Sequence, residues 1–592
     1  MALTPKQNEI VKATRGHFVV LAGPGCGKTH TITEKICYIF EREKIPEPYR
    51  LLALTFTDYS ARIMRSYLRS KGFDRWDRVY IGTFHSFGSY LLRSFGKEIG
   101  IKENFQIIEL NERKKLLEDL NKQYSIGIRQ YDLGELFDRS KRGEITLEEG
   151  KYEAAKKILL AYNSYNQILR EKNLLDFGDL IFLSTKLLQQ SDFVKRVVTN
   201  TFRYIIVDEF QDTDKQQLEL VKILAQKAIG STIVGDDDQS IFGWRGAYRE
   251  NIYKIKDALN ATEKILGENF RSDEIIIEAA RKIIGYDPNR RDKDIRGISD
   301  DRGNLYLCEF QNPYEEARKI GNIFISLIKE EKISNLGRSV IIARQRNRTE
   351  WIKDEFDQKK LAWFDRSTLS FQDSWETALG LATLRLAFDP FSSEFLSHLL
   401  TCVEEAGLAY RLKEDDPLTI ALKIRNNLKG GVIDDFSPNN SKKILEIAGL
   451  YEMIPNASAG ESNLHQRISN LNKMLIDIIT LSNSQKIDLY NSIKRISGLD
   501  AVQIITGHQS KGGEFDIVFF IGLEDDILPD FRSHKDEQKI AEERRIFYVG
   551  LTRAKKSAYL TYSKTRPMEY GVKPTKRSRF IDHIPKEYFS LL

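Results

Sequence analysis

The densest chemistry in the chain lies in eight consecutive residues, Ala22, Gly23, Pro24, Gly25, Cys26, Gly27, Lys28 and Thr29, which follow the apolar run HFVVLA. Glycines at every second position let a backbone turn tightly enough for its N–H groups to face phosphate oxygens, and a helix starting at Lys28 adds its positive end. Lys28 is then placed for the β- and γ-phosphates of a nucleotide and Thr29 for magnesium. Ala22 stands where the simplest P-loop pattern has glycine. A second segment, RYIIVDEFQD, ends a buried run with Asp208 and Glu209. Phosphoryl transfer needs one carboxylate near the metal and one to take a proton from the attacking water, and two adjacent acids at a strand end can divide those roles. Asp208 is assigned to magnesium and Glu209 to water. A lone Asp-Glu pair is usually a solvated turn; the P-loop upstream gives it meaning. A third segment, VGDDDQSIFGWRGA, sets Gln239 a few residues from Phe242, Trp244 and Arg245. Such a loop could touch phosphate at one end and a base at the other. Trp244 alone reads as a core tryptophan, but Gly243, Arg245 and Gly246 around it argue for an exposed loop.

These segments need strand ends to hold them. Short runs rich in Val, Ile and Leu at 17–22, 50–55, 203–209 and 231–236 read as strands of a parallel sheet buried on both faces. A second set, at 304–310, 338–344, 502–508, 516–523 and 557–563, implies a second α/β core. The expected division is a first core at residues 1–88 and 199–275 interrupted by a helical insertion at 89–198. A second core, at 276–370 and 499–592, is interrupted by a mostly helical insertion at 371–498. Loop-like stretches DDFSPNNSKK and PNASAGESN fall in the second insertion.

Length supports several domains, since 592 residues exceed what one hydrophobic core serves. With 91 Lys and Arg against 85 Asp and Glu, the net charge of +6 is too small to indicate nucleic-acid binding by itself, so contacts must come from local basic patches. The four cysteines show no metal-ligand or disulfide spacing, which speaks against zinc, iron–sulfur and disulfide frameworks and fits a reducing cytosol. No apolar run approaches the length of a membrane span and the N-terminus lacks a signal-peptide core, so a cytoplasmic protein with no membrane partner is expected.

The three segments resemble, in order, spacing and wording, those of the UvrD/Rep helicases of superfamily 1A, and further matches run along the chain. LTPKQ (3–7) is similar to the family's adenine-reading Q motif, LTFTDYSA (54–61) to motif Ia and GTFHSF (82–87) to the next DNA-contacting segment. DFGDL (176–180) resembles the acidic-aromatic signature ending the first insertion, LGENFRS (266–272) motif IV, TGHQSKGGEFD (506–516) motif V and EERRIFYVGLTRAK (542–555) motif VI.

The resemblance implies two RecA-like cores clamping ATP and Mg2+, an ATP-dependent DNA helicase or translocase moving 3′ to 5′, and a role in repair, replication or recombination. It implies that Gln7 reads adenine, Gln239 senses the γ-phosphate, Glu514 holds the nucleotide sugar, and Arg271 and Arg553 are arginine fingers. It makes Phe56, His85, Phe242 and Trp244, with Arg245, contacts for single-stranded DNA, where stacking tolerates any base. Single-stranded DNA and single/double-strand junctions are the expected partners, with a loading protein or a separate nuclease beside them.

The chain also departs from the family. Asp58 and Tyr59 replace the usual Asn and Lys of motif Ia, removing one positive charge from the DNA track. His30 stands for an Arg after the P-loop, and Phe270 for the Tyr before the motif IV Arg, which alters the adenine sandwich. FDRSTLSF replaces a Tyr-Gly-Gly segment, and the second insertion is shorter than usual. About 37 residues follow motif VI, too few for the nuclease domain of RecB-like or AddA-like relatives. Two alternatives stay open: a translocase that strips proteins from DNA and unwinds weakly, and a helicase-like subunit of Gabija-type phage defence working with a separate nuclease.

Overall fold

The computed structural model describes the chain except residues 1, 44, 148–152, 288–289, 300, 334, 366–367, 371–373, 411–416, 431–440, 457–463, 568–570 and 592. Most of DDFSPNNSKK and PNASAGESN, and part of FDRSTLSF, therefore lie outside the described residues.

Contact density divides the chain into two units. The first takes the residues up to Leu21 and Lys28–Ile265; the second takes Ala22–Gly27 and nearly all of the chain from Leu266 onward. The first is built on strands β1 (Gly16–Ala22), β2 (Arg50–Thr55), β3 (Val79–Thr83), β4 (Phe202–Val207), β5 (Gly230–Gly235) and β6 (Thr262–Leu266), ordered β3-β2-β4-β5-β1-β6. The pairings β1·β5, β4·β5, β2·β4 and β2·β3 are parallel. Their side chains are buried on both faces, as the uninterrupted Val, Ile and Leu runs require. The second unit's sheet contains β7 (Asn304–Phe310), β8 (Ser339–Ala343), β9 (Trp363–Asp365), β10 (Val502–Thr506), β11 (Phe515–Ile521) and β12 (Ala554–Ser563). Its order is β7-β12-β11-β8-β10-β9, again parallel throughout. Two RecA-like α/β sheets are thus present, as the sequence implied.

The apolar runs did not reveal β3, β6 or β9. Strand β6 reads TEKIL with only Leu266 buried, the charged composition of a sheet edge, while β9 is only three residues long. Strand β3 carries a half-buried Tyr80 and a glycine among its few apolar residues.

Between 84 and 201 the helices divide by the core they serve. Phe84–Phe95, Phe177–Gln190 and Asp192–Thr201 pack with the first sheet through residues such as Phe87, Leu187 and Val194. Helices Leu110–Gln123, Gln130–Lys141 and Glu153–Glu171 close a separate core around Leu120, Phe137 and Tyr165. In the second unit, helices from Trp375–Phe388 to Leu489–Ile496 enclose their own core, with Leu379, Leu471 and Ile493 at its centre.

Candidate nucleotide and nucleic-acid sites

Because β1, β4 and β5 lie side by side and parallel, the loops that leave them emerge at one sheet edge, where open α/β sheets bind ligands. The helix Lys28–Tyr38 follows the glycine loop directly. Lys28 Nζ lies 3.8 Å from Glu209 Oε1, and Thr29 Oγ1 donates to Asp208 Oδ2 at 3.4 Å. Asp208 is fully buried. Burial, followed by the adjacent Glu209 carboxylate, pushes the Asp208 carboxyl up to about 7 against the opposing pull of Lys28. A buried carboxylate whose charge is so disfavoured, facing a hydroxyl, suits a divalent cation, which would stabilise the ionised form. Thr29 and Asp208 fit as the magnesium holders.

Glu209 adopts φ 54°, ψ 41°, a left-handed conformation that costs a residue other than glycine about 1–3 kcal/mol. Its N–H donates to Asp208 Oδ1 at 2.9 Å, and Gln211 Nε2 donates to Glu209 Oε2. Gln211 is buried, and its Oε1 also accepts the Asp236 N–H at 2.9 Å, joining the loop after β4 to the loop after β5. An added Cβ at Gly235 would meet that Gln211 oxygen at 2.7 Å. Sequence reasoning missed Gln211; its only signal was a polar residue two positions after the acid pair. Gln239, 4% exposed, donates from Nε2 to Asp236 Oδ2 at 2.5 Å. Asp237 in the same loop pairs with Arg249 at 3.1 Å and accepts from Tyr253 at 2.7 Å.

The Q-motif segment turns out to be a helix start as well. Thr4 caps helix Pro5–Lys12 with Pro at its first turn, and Gln7 completes a capping box by accepting the Thr4 N–H at 3.0 Å. The side chain expected to read adenine thus bonds to the start of its own helix. His30 packs edge-on against Tyr67 with ring centroids 5.3 Å apart and lies 3.8 Å from Glu34; burial lowers its pKa and Glu34 partly restores it.

In the second unit, Arg271 Nε donates to Glu514 Oε2 at 3.1 Å, and Lys555 Nζ reaches Glu514 Oε1 at 2.8 Å. Burial would raise the Glu514 pKa, but these two cations hold it below the usual range. Arg553 is 1% exposed, with donors on the carbonyls of Val549 (2.9 Å) and Gly513 (3.2 Å) and on Thr552 Oγ1 (3.1 Å). Phe270 is half-buried.

The expected DNA contacts gather in the first unit. Phe56 and Phe242 stack with centroids 5.9 Å apart, and the Arg245 guanidinium lies 4.7 Å from the Trp244 ring. Trp244 is 56% exposed on a short 3-10 turn, so it is not a core tryptophan. His85 meets Phe177 edge-on at 6.0 Å, and a cavity of about 370 Å³ is lined by Phe56, His85, Phe177 and Arg245. Desolvation lowers His85 to about 4, so at neutral pH it offers a ring face and not a charge. Phe177, 60% exposed, was not singled out from DFGDL. Asp176 caps its helix and Lys141, buried, pairs with Asp176 at 2.7 Å and Asp179 at 3.0 Å.

A buried parallel strand, a glycine loop, a helix opening on Lys28-Thr29 and acids at neighbouring strand ends define a P-loop nucleoside triphosphatase with two RecA-like sheets. The UvrD/REP helicase N-terminal domain matches residues 3–260, and the UvrD-like helicase C-terminal domain matches 265–414 and 410–565. A probable DNA helicase II homolog of Rickettsia felis is 30% identical over 99% of this chain and 96% of its own length. The ATP-dependent DNA helicases PcrA of Bacillus subtilis and Staphylococcus aureus are 29% and 27% identical, each over 99% of this chain and 86% of their own. The chain belongs to the UvrD/REP helicase family. Among the described residues no helix is long and apolar enough to cross a membrane.

Proposed function

We propose that this protein is an ATP-dependent DNA helicase that converts ATP hydrolysis into 3′ to 5′ movement along single-stranded DNA and unwinds duplex it meets at a junction. The observation that carries the reading is one short loop: Gln239 is buried with its amide on Asp236 at the end of β5, and Trp244, five residues on, is exposed with Arg245 against its ring. A loop with one end among phosphate-binding groups and the other offered to a base can report nucleotide state to DNA. In this reading Lys28 binds the β- and γ-phosphates and Glu209 accepts the proton of the attacking water. Thr29 and Asp208 hold magnesium, which when bound neutralises phosphate charge. Gln239, Arg271 and Arg553 sense the γ-phosphate, while Gln7, His30, Phe270 and Glu514 border the nucleoside. Phe56, His85, Phe242 and Trp244 supply ring faces to the strand. ATPase and unwinding assays on 3′-tailed, 5′-tailed and blunt duplexes test it; unwinding from 5′ tails alone would reverse the polarity, and translocation without unwinding would favour the protein-stripping alternative.

Two expected results follow from the DNA surface. Trp244→Ala removes a stacking contact worth about 1–3 kcal/mol per base while the phosphate-binding groups stay in place. Unwinding should therefore fall by a larger factor than ATP turnover at saturating DNA, because slippage wastes completed cycles; equal losses would remove Trp244 from the coupling role. Second, affinity for single-stranded DNA should decline steeply with salt, with a log–log slope of about −0.7 per phosphate contacted, and show little sequence preference. A nearly salt-independent affinity in a fluorescence titration would contradict backbone tracking.

A further inference from the structure

The glycine loop owes its shape to a residue far along the chain. Asn269, fully buried, donates from Nδ2 to the Pro24 carbonyl, and its Oδ1 accepts the N–H groups of Arg271 (2.9 Å) and Ser272 (2.8 Å). Beside it the Phe270 N–H donates to the Gly25 carbonyl at 2.9 Å. Peptide planarity makes these tethers directional. In a trans peptide the C=O and the following N–H point opposite ways, so fixing the carbonyls of Pro24 and Gly25 toward 269–270 turns the N–H groups of Gly25 and Cys26 to the other side. In the P-loop reading that is the side that faces the phosphate oxygens. The Gly23 N–H is spent instead on the Leu266 carbonyl at 3.1 Å. The approach is so close that a Cβ at Gly25, whose φ is +65°, would sit 2.6 Å from Arg271 Cβ and 2.7 Å from Asn269 Nδ2. The same network continues outward: Ser272 Oγ donates to the Ala554 carbonyl at 2.6 Å, next to Arg553. All of these residues belong to the second unit.

We propose that Asn269 is a positioning residue of the nucleotide site, aiming the P-loop amides at phosphate and holding the backbone of Arg271 in register with them, with Ser272 extending that register to the segment of Arg553. This rests on the reading of Lys28, Arg271 and Arg553 as ATP-contacting groups. The role is specific to the amide. Asn269→Asp keeps the acceptor for both N–H groups but replaces the donor to Pro24 by a carboxylate facing a carbonyl. Asn269→Ala loses both.

The test measures the affinity of a fluorescent ATP analogue, the steady-state kcat and KM for ATP, single-stranded DNA affinity without nucleotide, and the melting temperature, in the full chain. Losing the donor leaves the buried Pro24 carbonyl only the weak Cys26 thiol donor at 3.6 Å and sets a carboxylate against it, so Asn269→Asp should weaken nucleotide binding and raise KM by about tenfold or more while DNA affinity stays within about twofold. Ser272→Ala should instead lower kcat with nucleotide affinity kept. Wild-type nucleotide affinity in Asn269→Asp overturns the proposal, as does a fall in DNA affinity equal to the fall in nucleotide affinity. If Asn269→Asp does not fold, an unchanged kcat in Ser272→Ala overturns it. Lys28→Ala in the same assays separates the premises: retained ATP binding there would undo the nucleotide-site reading, whereas loss there with an unaffected Asn269→Asp undoes only the role of Asn269.

Discussion

Glu209→Gln is expected to bind ATP at near wild-type affinity and to lose about 10²–10⁴-fold in DNA-stimulated turnover, the usual range for removing a positioned proton acceptor. The substitution keeps the side-chain shape and an oxygen for Gln211 to donate to, so the strained turn at φ 54° has its partners. It also removes the charge 3.8 Å from Lys28, which leaves that ammonium at least as available to phosphate. Lys28→Ala should behave differently, losing nucleotide binding itself, because no backbone amide replaces the charge at the β- and γ-phosphates. Equilibrium binding and single-turnover hydrolysis distinguish the two. Hydrolysis near the wild-type rate in Glu209→Gln would move the base elsewhere.

The second large effect concerns the arginines, whose surroundings differ. Removing an arginine that stabilises the transferring phosphoryl group costs about 10³–10⁵ in rate, so Arg271→Ala and Arg553→Ala should both nearly stop turnover. Their stabilities should part company. Arg271 is partly exposed and its carboxylate partner Glu514 is half-exposed and also held by Lys555, so its loss should shift the melting temperature little. Arg553 is buried, and truncating it strips the side-chain donor from the Gly513 carbonyl, a loss of about 1–3 kcal/mol, while the Val549 carbonyl keeps the Thr552 hydroxyl at 3.1 Å. Arg553→Ala should thus melt earlier as well as turn over slowly. An Arg553→Ala protein that melts early yet hydrolyses ATP normally would make this arginine a structural one.

Much of the design could be read along the chain because its signals are local. The alternation of apolar runs with helical stretches marked both sheets, and GKT after a glycine loop or two acids after RYIIV are patterns within a few residues, where backbone geometry and strand ends leave little choice. The exposed turn of Trp244 was likewise signalled by the glycines beside it. Edge strand β6 escaped because an edge can afford the charges that hide it in a sequence.

What the sequence by itself determined was therefore the class of chemistry, the two α/β cores and the residues with a motif around them. Tertiary structure alone decided who holds those residues. Gln211 reaches Asp236 across 25 positions, Asn269 reaches Pro24 across 245, and Phe177 meets His85 from a distant helix. It also decided that Gln7 closes the capping box of Thr4 and that Arg553 donates to two carbonyls. The reason is physical: a motif records which groups must face a ligand, whereas a buried amide finds its partner through the packing of segments remote in sequence. Any residue of suitable size and hydrogen-bonding capacity can fill that place without leaving a local pattern.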